Sequence, residues 1–252
     1  MRFAVLSDVH ANFDALEAVL ADVAGRGIAD IVCLGDVVGY GPEPARCIDL
    51  VRERSRVCLM GNHDLALITQ PYGFNPAAAQ AIVCQRRALT DACDDPARCD
   101  SAVEWLKARP ERHAERGVLF VHASPRDPIN EYVLPTDAEP GHPSRKLREI
   151  FDMIDGPCFV GHSHYPGLIT DDMRWLSPSE AEGYEPAGRK CVVNDGSVGQ
   201  PRDRDPRASW VEVADGRICW RRVEYPFRRT MEKILASDCL PRFSAERLAE
   251  GR

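Results

Sequence analysis

What most constrains this chain is an alternation: short apolar runs ending in an acid, an amide or a histidine are separated by amphipathic stretches. Residues 3–7 (FAVLS) are apolar and partly β-branched and stop at Asp8. From Asn12 to about Ala24, Phe13, Leu16, Val19, Leu20 and Val23 recur at intervals of three and four, one face of a helix, with Asn12 as its N-cap. Residues 30–34 (DIVCL) form a second strand before Gly35-Asp36, and a second helix runs from about Pro44 to Glu53. Residues 56–60 (RVCLM) make a third strand before Gly61-Asn62-His63-Asp64. Strand–helix–strand repeats with short connections imply parallel strands and right-handed crossovers.

Further along, residues 76–108 read as two helices broken near Asp94-Asp95-Pro96. A strand at 117–122 (GVLFVH) leads into a Pro-rich loop over 124–143 and a helix from about Ser144 to Ile154. The later runs CFVGH, GLIT, KCVVND, ASWVEV and ICWRRV read as strands divided by turn signals such as Asp215-Gly216. They are expected to build a second sheet packed on the first. About the last 15 residues carry little strand signal and fit a surface helix or a loose tail. With no repeat, linker or low-complexity stretch, the chain reads as a single domain over 1–252, with a helical cap-like insertion at about 70–115.

Composition narrows the function. The chain is 44% hydrophobic and 28% charged, enough for a packed core. Its net charge of -7 gives no long-range attraction for a nucleic-acid polymer, so none is expected as a partner. A small phosphorylated substrate stays open, because bound divalent cations would dominate the local field. No run of 18 apolar residues occurs, so no membrane partner is expected. MRFAVLSDVH lacks the parts of a secretory signal, which favours the cytoplasm. The ten cysteines form no C-x-x-C pair, and several lie inside strand-like runs. Reduced buried thiols are therefore expected in place of a disulfide framework or a zinc site.

The chemistry concentrates at strand ends. Asp8 and His10 follow the first strand, Asp36 the second, and Asn62, His63 and Asp64 the third. His122 follows the strand at 117–121, and His162 and His164 follow the one at 158–160. Five of the seven histidines occupy such ends. In an open parallel sheet these ends share one crevice. A lone histidine there is more often a satisfied polar residue than a ligand, but seven residues of the right type, in order, outweigh that reading. Two Asp, one Asn and four His suit two divalent cations sharing a carboxylate. Gly35, Gly61 and Gly161 allow the sharp turns that aim the next side chain into the site.

The blocks SDVHAN, LGDVVGYGP, MGNHD, VHASP and GHSH, in that order over residues 8 to 164, resemble the calcineurin-like metallophosphoesterase superfamily, and VGYGPEP and HASPRDP its small stand-alone bacterial and archaeal branch. The resemblance implies an α/β four-layer αββα sandwich: two mixed β-sheets packed face to face, helices outside. It implies one metal held by Asp8, His10, Asp36 and His164, and another by Asp36, Asn62, His122 and His162, with Asp36 bridging. The cofactors would be two divalent transition metal ions, Mn first, with Fe, Ni, Co or Zn as substitutes. A bridging hydroxide would attack phosphorus, His63 would protonate the leaving alkoxide or steady the phosphoryl oxygens, and Asp64 would fix the His63 ring.

Other residues carry two readings. Asn12 is a helix cap or a contact to the metal-bound water; Tyr40 lines the pocket or packs in its turn. Arg126 approaches the substrate with Asp127 or forms a surface ion pair. Arg202 and Arg204, in GSVGQPRDRDP, offer cations to a phosphate or belong to a surface loop. His113 and His142 are expected exposed and idle, and Trp105, Trp175, Trp210 and Trp220 packed. Substrates range over phosphomonoesters, phosphodiesters, dinucleoside polyphosphates and phosphoproteins, with a small soluble phosphoester or nucleotide ahead. Rival readings are a non-catalytic scaffold and a nucleotide sensor; the presence of His63 weighs against the scaffold.

Overall fold

A computed structural model of the chain describes residues 2–90, 93–139 and 141–252. Strand β1 (Arg2–Leu6) shows how the layers arise. Successive side chains point to opposite faces. Phe3 and Val5 therefore enter one buried cluster with Phe120 and Phe159, while Ala4 and Leu6 enter another with the first helix. That helix, α1 (Phe13–Gly25), buries Leu16, Val19, Leu20 and Val23 and is capped by Asn12, as its spacing predicts.

The first sheet adds β2 (Ile31–Cys33) and β3 (Val57–Cys58), both parallel to β1, with α2 (Pro44–Arg54) between them. Its other edge holds β10 (Ala208–Ala214) and β11 (Arg217–Val223), giving the order β11-β10-β1-β2-β3. This corrects the expectation that ASWVEV and ICWRRV join the second sheet. Strand β10 instead pairs antiparallel with β1, Phe3 opposite Val213, and covers an edge that would otherwise stay unpaired.

The second sheet takes the remaining strands in the order β4-β5-β6-β9-β7-β8: Arg112–Glu115, Val118–Val121, Pro157–Val160, Cys191–Asn194, Gly167–Thr170 and Trp175–Leu176. Strand β4 (RHAE) has no apolar alternation and was not expected. Between the sheets, Phe120 and Phe159 stack at 5.4 Å with Phe3 edge-on at 6.1 Å to each. Helix α6 (Arg145–Asp152) covers the outer face of the second sheet through Leu147, Ile150 and Phe151. The result is the α/β four-layer αββα sandwich of two mixed sheets.

Helices α3 (Asn62–Ile68), α4 (Pro76–Leu89) and α5 (Pro96–Lys107) pack beside α2, where Ile82, Leu89 and Leu106 share the α1 core. Residues 91–92, within the segment expected to be cap-like, lie outside the described residues. Helices α7 (Phe227–Leu235) and α8 (Arg242–Glu250) close the chain. Ala245 and Leu248 of α8 are buried with Ile234, so the tail is docked. Cys93 and Cys99 form a disulfide and eight cysteines are free, which corrects the expectation that all are reduced. Among the described residues no helix is long and apolar enough to cross a membrane.

Candidate metal centre

The strand ends converge as the parallel order dictates. Asp8, His10, Asp36, His122, His162 and His164 are all buried. Three sets have ligand atoms within 4.8 Å of one another: Asp8–His10–His164, His10–Asp36–His63 and Asp36–His122–His162. Asn62 joins through Oδ1, 3.1 Å from His122 Nε2. Asp36 and His10 each belong to two of these sets. All seven expected ligands are thus gathered in one cluster.

Backbone strain holds them there. Asp8, His10, Asp36, His162 and His164 all have φ between 49° and 62°, a region that L residues seldom occupy. The glycines serve a different need from the one expected. Only Gly35 of the three has positive φ; at Gly61 a Cβ would collide with Asp36, and at Gly161 with Ser7 and Asp8. They let neighbouring chain segments approach the carboxylates.

The hydrogen bonds set which atoms face inward. His10 Nδ1 donates to Val38 O at 3.0 Å and His164 Nδ1 to Gln200 O, leaving a lone pair on each Nε2. Those two Nε2 atoms stand 3.1 Å apart, with Asp8 Oδ1 3.1 Å from His164 Nε2. Two facing lone pairs and a buried carboxylate oxygen without a hydrogen bond are unfavourable together unless a cation lies among them. His162 donates from Nε2 to Asn130 O at 3.0 Å, which turns Nδ1 inward. His122 Nε2 lies 3.5 Å from Asp36 Oδ2. The donor set therefore fits divalent metal ions.

Burial shapes the charges. It lowers the pKa of His10, His63, His162 and His164, and takes His122 down to about 3. It raises Asp36, helped by the negative charges of Asp8 and Asp64, and lifts Asp64 to about 6. Asp195, following β9, is buried with both oxygens unpaired among the described residues, and burial pushes its carboxyl up as well.

The expectation for Asp64 is corrected. Its carboxylate accepts from the N–H groups of Gly61 and Val38, each at 3.1 Å, and so ties two site loops together. Among the described residues His63 Nδ1 has no hydrogen-bond partner. The His63 ring instead packs among aromatics, edge-on to His10 at 4.7 Å and Phe74 at 4.9 Å, and near Tyr40 at 4.7 Å.

The remaining candidates divide. Asn12 spends its side chain internally: Oδ1 caps Ala15 N–H and accepts from Thr230, while Nδ2 donates to Gly199 O and Tyr225 Oη. Tyr40 is buried against His10, and Arg202 reaches its hydroxyl at 3.4 Å. Arg126 is held in ion pairs with Glu149 and Glu131. His142 is exposed, and half-buried His113 lies 3.7 Å from Glu115.

Several residues at the site carried no motif. Gln85 of α4 accepts from Gly39 N–H and donates to Gly41 O, each at 2.6 Å, which braces the Tyr40 loop. Asn194 donates to Gly161 O and Ser163 Oγ, holding the loop of His162 and His164. A cavity of about 530 Å³ opens in front of Asn62, His63 and His162, walled by Tyr72, Phe74 and Tyr132. Cavities of about 490 and 840 Å³ elsewhere are lined by no residue of the cluster.

Comparison with known proteins places the chain in a family. The family model described as calcineurin-like phosphoesterase matches residues 1–168. An uncharacterized protein of Methanocaldococcus jannaschii is 35% identical, over 99% of this chain and 98% of its own length. The crystal structure of a metallophosphoesterase from Sphaerobacter thermophilus superposes with a TM-score of 0.85 at 37% identity, covering 100% of both chains. A symmetrical bis(5'-nucleosyl)-tetraphosphatase of Burkholderia thailandensis is 31% identical over 134 residues, 49% of this chain and 41% of its own length. The chain belongs to the calcineurin-like phosphoesterase family.

Proposed function

We propose that the chain hydrolyses phosphomonoester or phosphodiester bonds of a small soluble substrate, with two divalent transition metals, Mn first, held by Asp8, His10, Asp36, Asn62, His122, His162 and His164. The observation that carries this reading is the convergence of the buried Asp and His ligand atoms, with Asn62 beside His122, next to an open pocket that His63 also lines. When bound, the two cations supply Lewis-acid polarisation of a phosphoryl oxygen and make water nucleophilic near neutral pH.

The chain's own groups do the rest. Asp36 stands between the two halves of the cluster and is shared by them. His63 faces the pocket and is the group placed to pass a proton to the leaving oxygen. Burial keeps it neutral at rest, and a phosphate beside it would favour the protonated ring. Among small substrates a nucleotide ranks first. The walls Tyr72, Phe74 and Tyr132 offer stacking surface for a base, and a curated relative is a tetraphosphatase of dinucleosides. We read the 70–115 segment as contributing specificity through Tyr72 and Phe74, within a single domain over 1–252. Eight free thiols suit a cytoplasmic setting.

Purified protein reconstituted with Mn²⁺ is expected to hydrolyse a p-nitrophenyl phosphomonoester or diester, and EDTA to abolish the activity. No turnover on either ester with Mn²⁺, Ni²⁺, Co²⁺ or Zn²⁺ would sink the reading.

A further inference from the structure

Two arginines near the cluster lack the carboxylate partners that several of their neighbours have. Arg207, Arg222 and Arg229, in the same quarter of the molecule, are paired with Asp205, Asp203 and Asp14. Arg202 instead contacts two neutral oxygens, Tyr40 Oη at 3.4 Å and Gln200 Oε1 at 3.2 Å, and its Nε is buried with no acceptor among the described residues. Arg247 of α8 lies half-buried, 5.4 Å from the Phe243 ring; burial and then the charge of Arg202 lower its pKa, while its interaction with the Tyr40 hydroxyl raises it. Among the described residues neither arginine forms an ion pair with a carboxylate.

Two guanidinium groups converging on one phenol repel each other, and neutral oxygens do not offset that repulsion. An anion between them does, and the planar forks of arginine suit phosphate oxygens. The placement is rigid. Helix α8 is anchored by Ala245 and Leu248, and Gly251 O accepts from Arg204 N–H at 2.8 Å, tying the helix end to the loop that carries Arg202. On its other side the Tyr40 ring touches His10 at 4.8 Å and His63 at 4.7 Å. The pair therefore stands one aromatic ring away from the metal ligands.

We propose that Arg202 and Arg247 form a phosphate subsite, independent of the metals, which takes the second phosphoryl group of a substrate whose first lies at the cluster. The substrate is then one bearing at least two phosphoryl groups. This part rests on the phosphoesterase reading; the binding of phosphate by the arginines does not.

Calorimetric titration of the full-length chain with inorganic phosphate tests it. Metal-loaded wild type should bind two phosphates per chain and the chelator-treated chain one. Arg247→Met should weaken the metal-independent site at least about tenfold, and Arg247→Lys should restore part of it. Exposed Arg252→Met, a control, should change neither count. In steady-state kinetics, the ratio of kcat/KM on a dinucleoside polyphosphate to that on p-nitrophenyl phosphate should fall about tenfold in Arg247→Met. No binding after chelation, or binding weaker than about 1 mM, would overturn the subsite as an adventitious ion only. A lost phosphate with an unchanged ratio would overturn its role for substrate. Intact phosphate binding in a chain that hydrolyses nothing would refute the phosphoesterase reading and leave the subsite standing. Should Arg247→Met fail to fold, the wild-type count with and without chelator still decides.

Discussion

Asp8, His10 and His164 are all gripped from behind by backbone, whereas of Asn62, His122 and His162 only the last has its ring held by a main-chain carbonyl. In the first group both imidazoles donate to main-chain carbonyls, and Ser197 Oγ donates to Asp8 O at 2.9 Å. In the second, only His162 donates to a main-chain carbonyl, Asn130 O; His122 Nδ1 has no partner among the described residues, and Tyr132, 44% exposed, stacks on His162 at 4.0 Å. The cavity of about 530 Å³ opens on the second group. The difference divides the cluster into one half held rigid and another that is softer and faces the cavity. Asp36 belongs to both, accepting from His63 N–H at 2.8 Å and facing His10 and His122.

The harshest test of this division is Asp36→Ala. It should remove both metals and bring hydrolysis to background, read by elemental analysis and ester turnover; two metals retained per chain would contradict the shared role. Next, His63→Ala should lower kcat by about 10²–10⁴ with metal content intact, the usual worth of a positioned proton donor. Unchanged turnover would remove His63 from the chemistry.

The two halves are separated by comparing His164→Ala with His122→Ala. Each should drop one metal. Excess Mn²⁺ should rescue the His122 variant by about 10–100-fold more than the His164 variant, because the backbone-held half loses a preorganised ligand. Equal rescue would mean that the asymmetry has no energetic consequence.

The smallest expected effect is on the pH dependence of stability without metal. Burial holds five histidines below the ordinary 6.5, so the unfolded chain takes up protons that the folded one refuses, and stability falls as pH drops below about 6.5. Burial also raises Asp36 and Asp195, and Asp64 to about 6, so the folded chain keeps protons that the unfolded one releases. Their contribution is present below the ordinary 3.8 and is lost as pH rises through about 6 and beyond. Five proton sites outweigh three between these limits, so thermal stability should peak near pH 6 to 7, with slopes of about 1.4 kcal/mol per pH unit per net proton. Mn²⁺ should flatten the alkaline side, since a cation favours ionised Asp36. A steady rise in melting temperature from pH 5 to 9 without metal would refute this account.

The two groups were equally legible beforehand, because each rests on a turn at a strand end. Asp8, Asp36 and His162 follow apolar runs whose parallel order makes their ends meet. The role of Asp64 was misread because adjacency to His63 suggests contact with its ring, yet at the start of α3 the carboxylate lies closer to the free N–H groups of Gly61 and Val38. Strand β4 escaped because an edge strand with polar residues has no period to read. The place of β10 escaped because periodicity says that a strand exists and not which neighbour it joins.

The amino-acid order alone determined the β-α-β-α-β start, the α1 face and the strand ends that gather the seven expected ligands. Local spacing and ligand chemistry act over a few residues and leave their mark in the chain. Tertiary structure decided the rest: the aromatic walls of the pocket, the bracing of Tyr40 by Gln85, and the meeting of Arg202 with Arg247. These contacts join residues tens of positions apart, and only the packing of α4 and α8 against the sandwich brings them within reach.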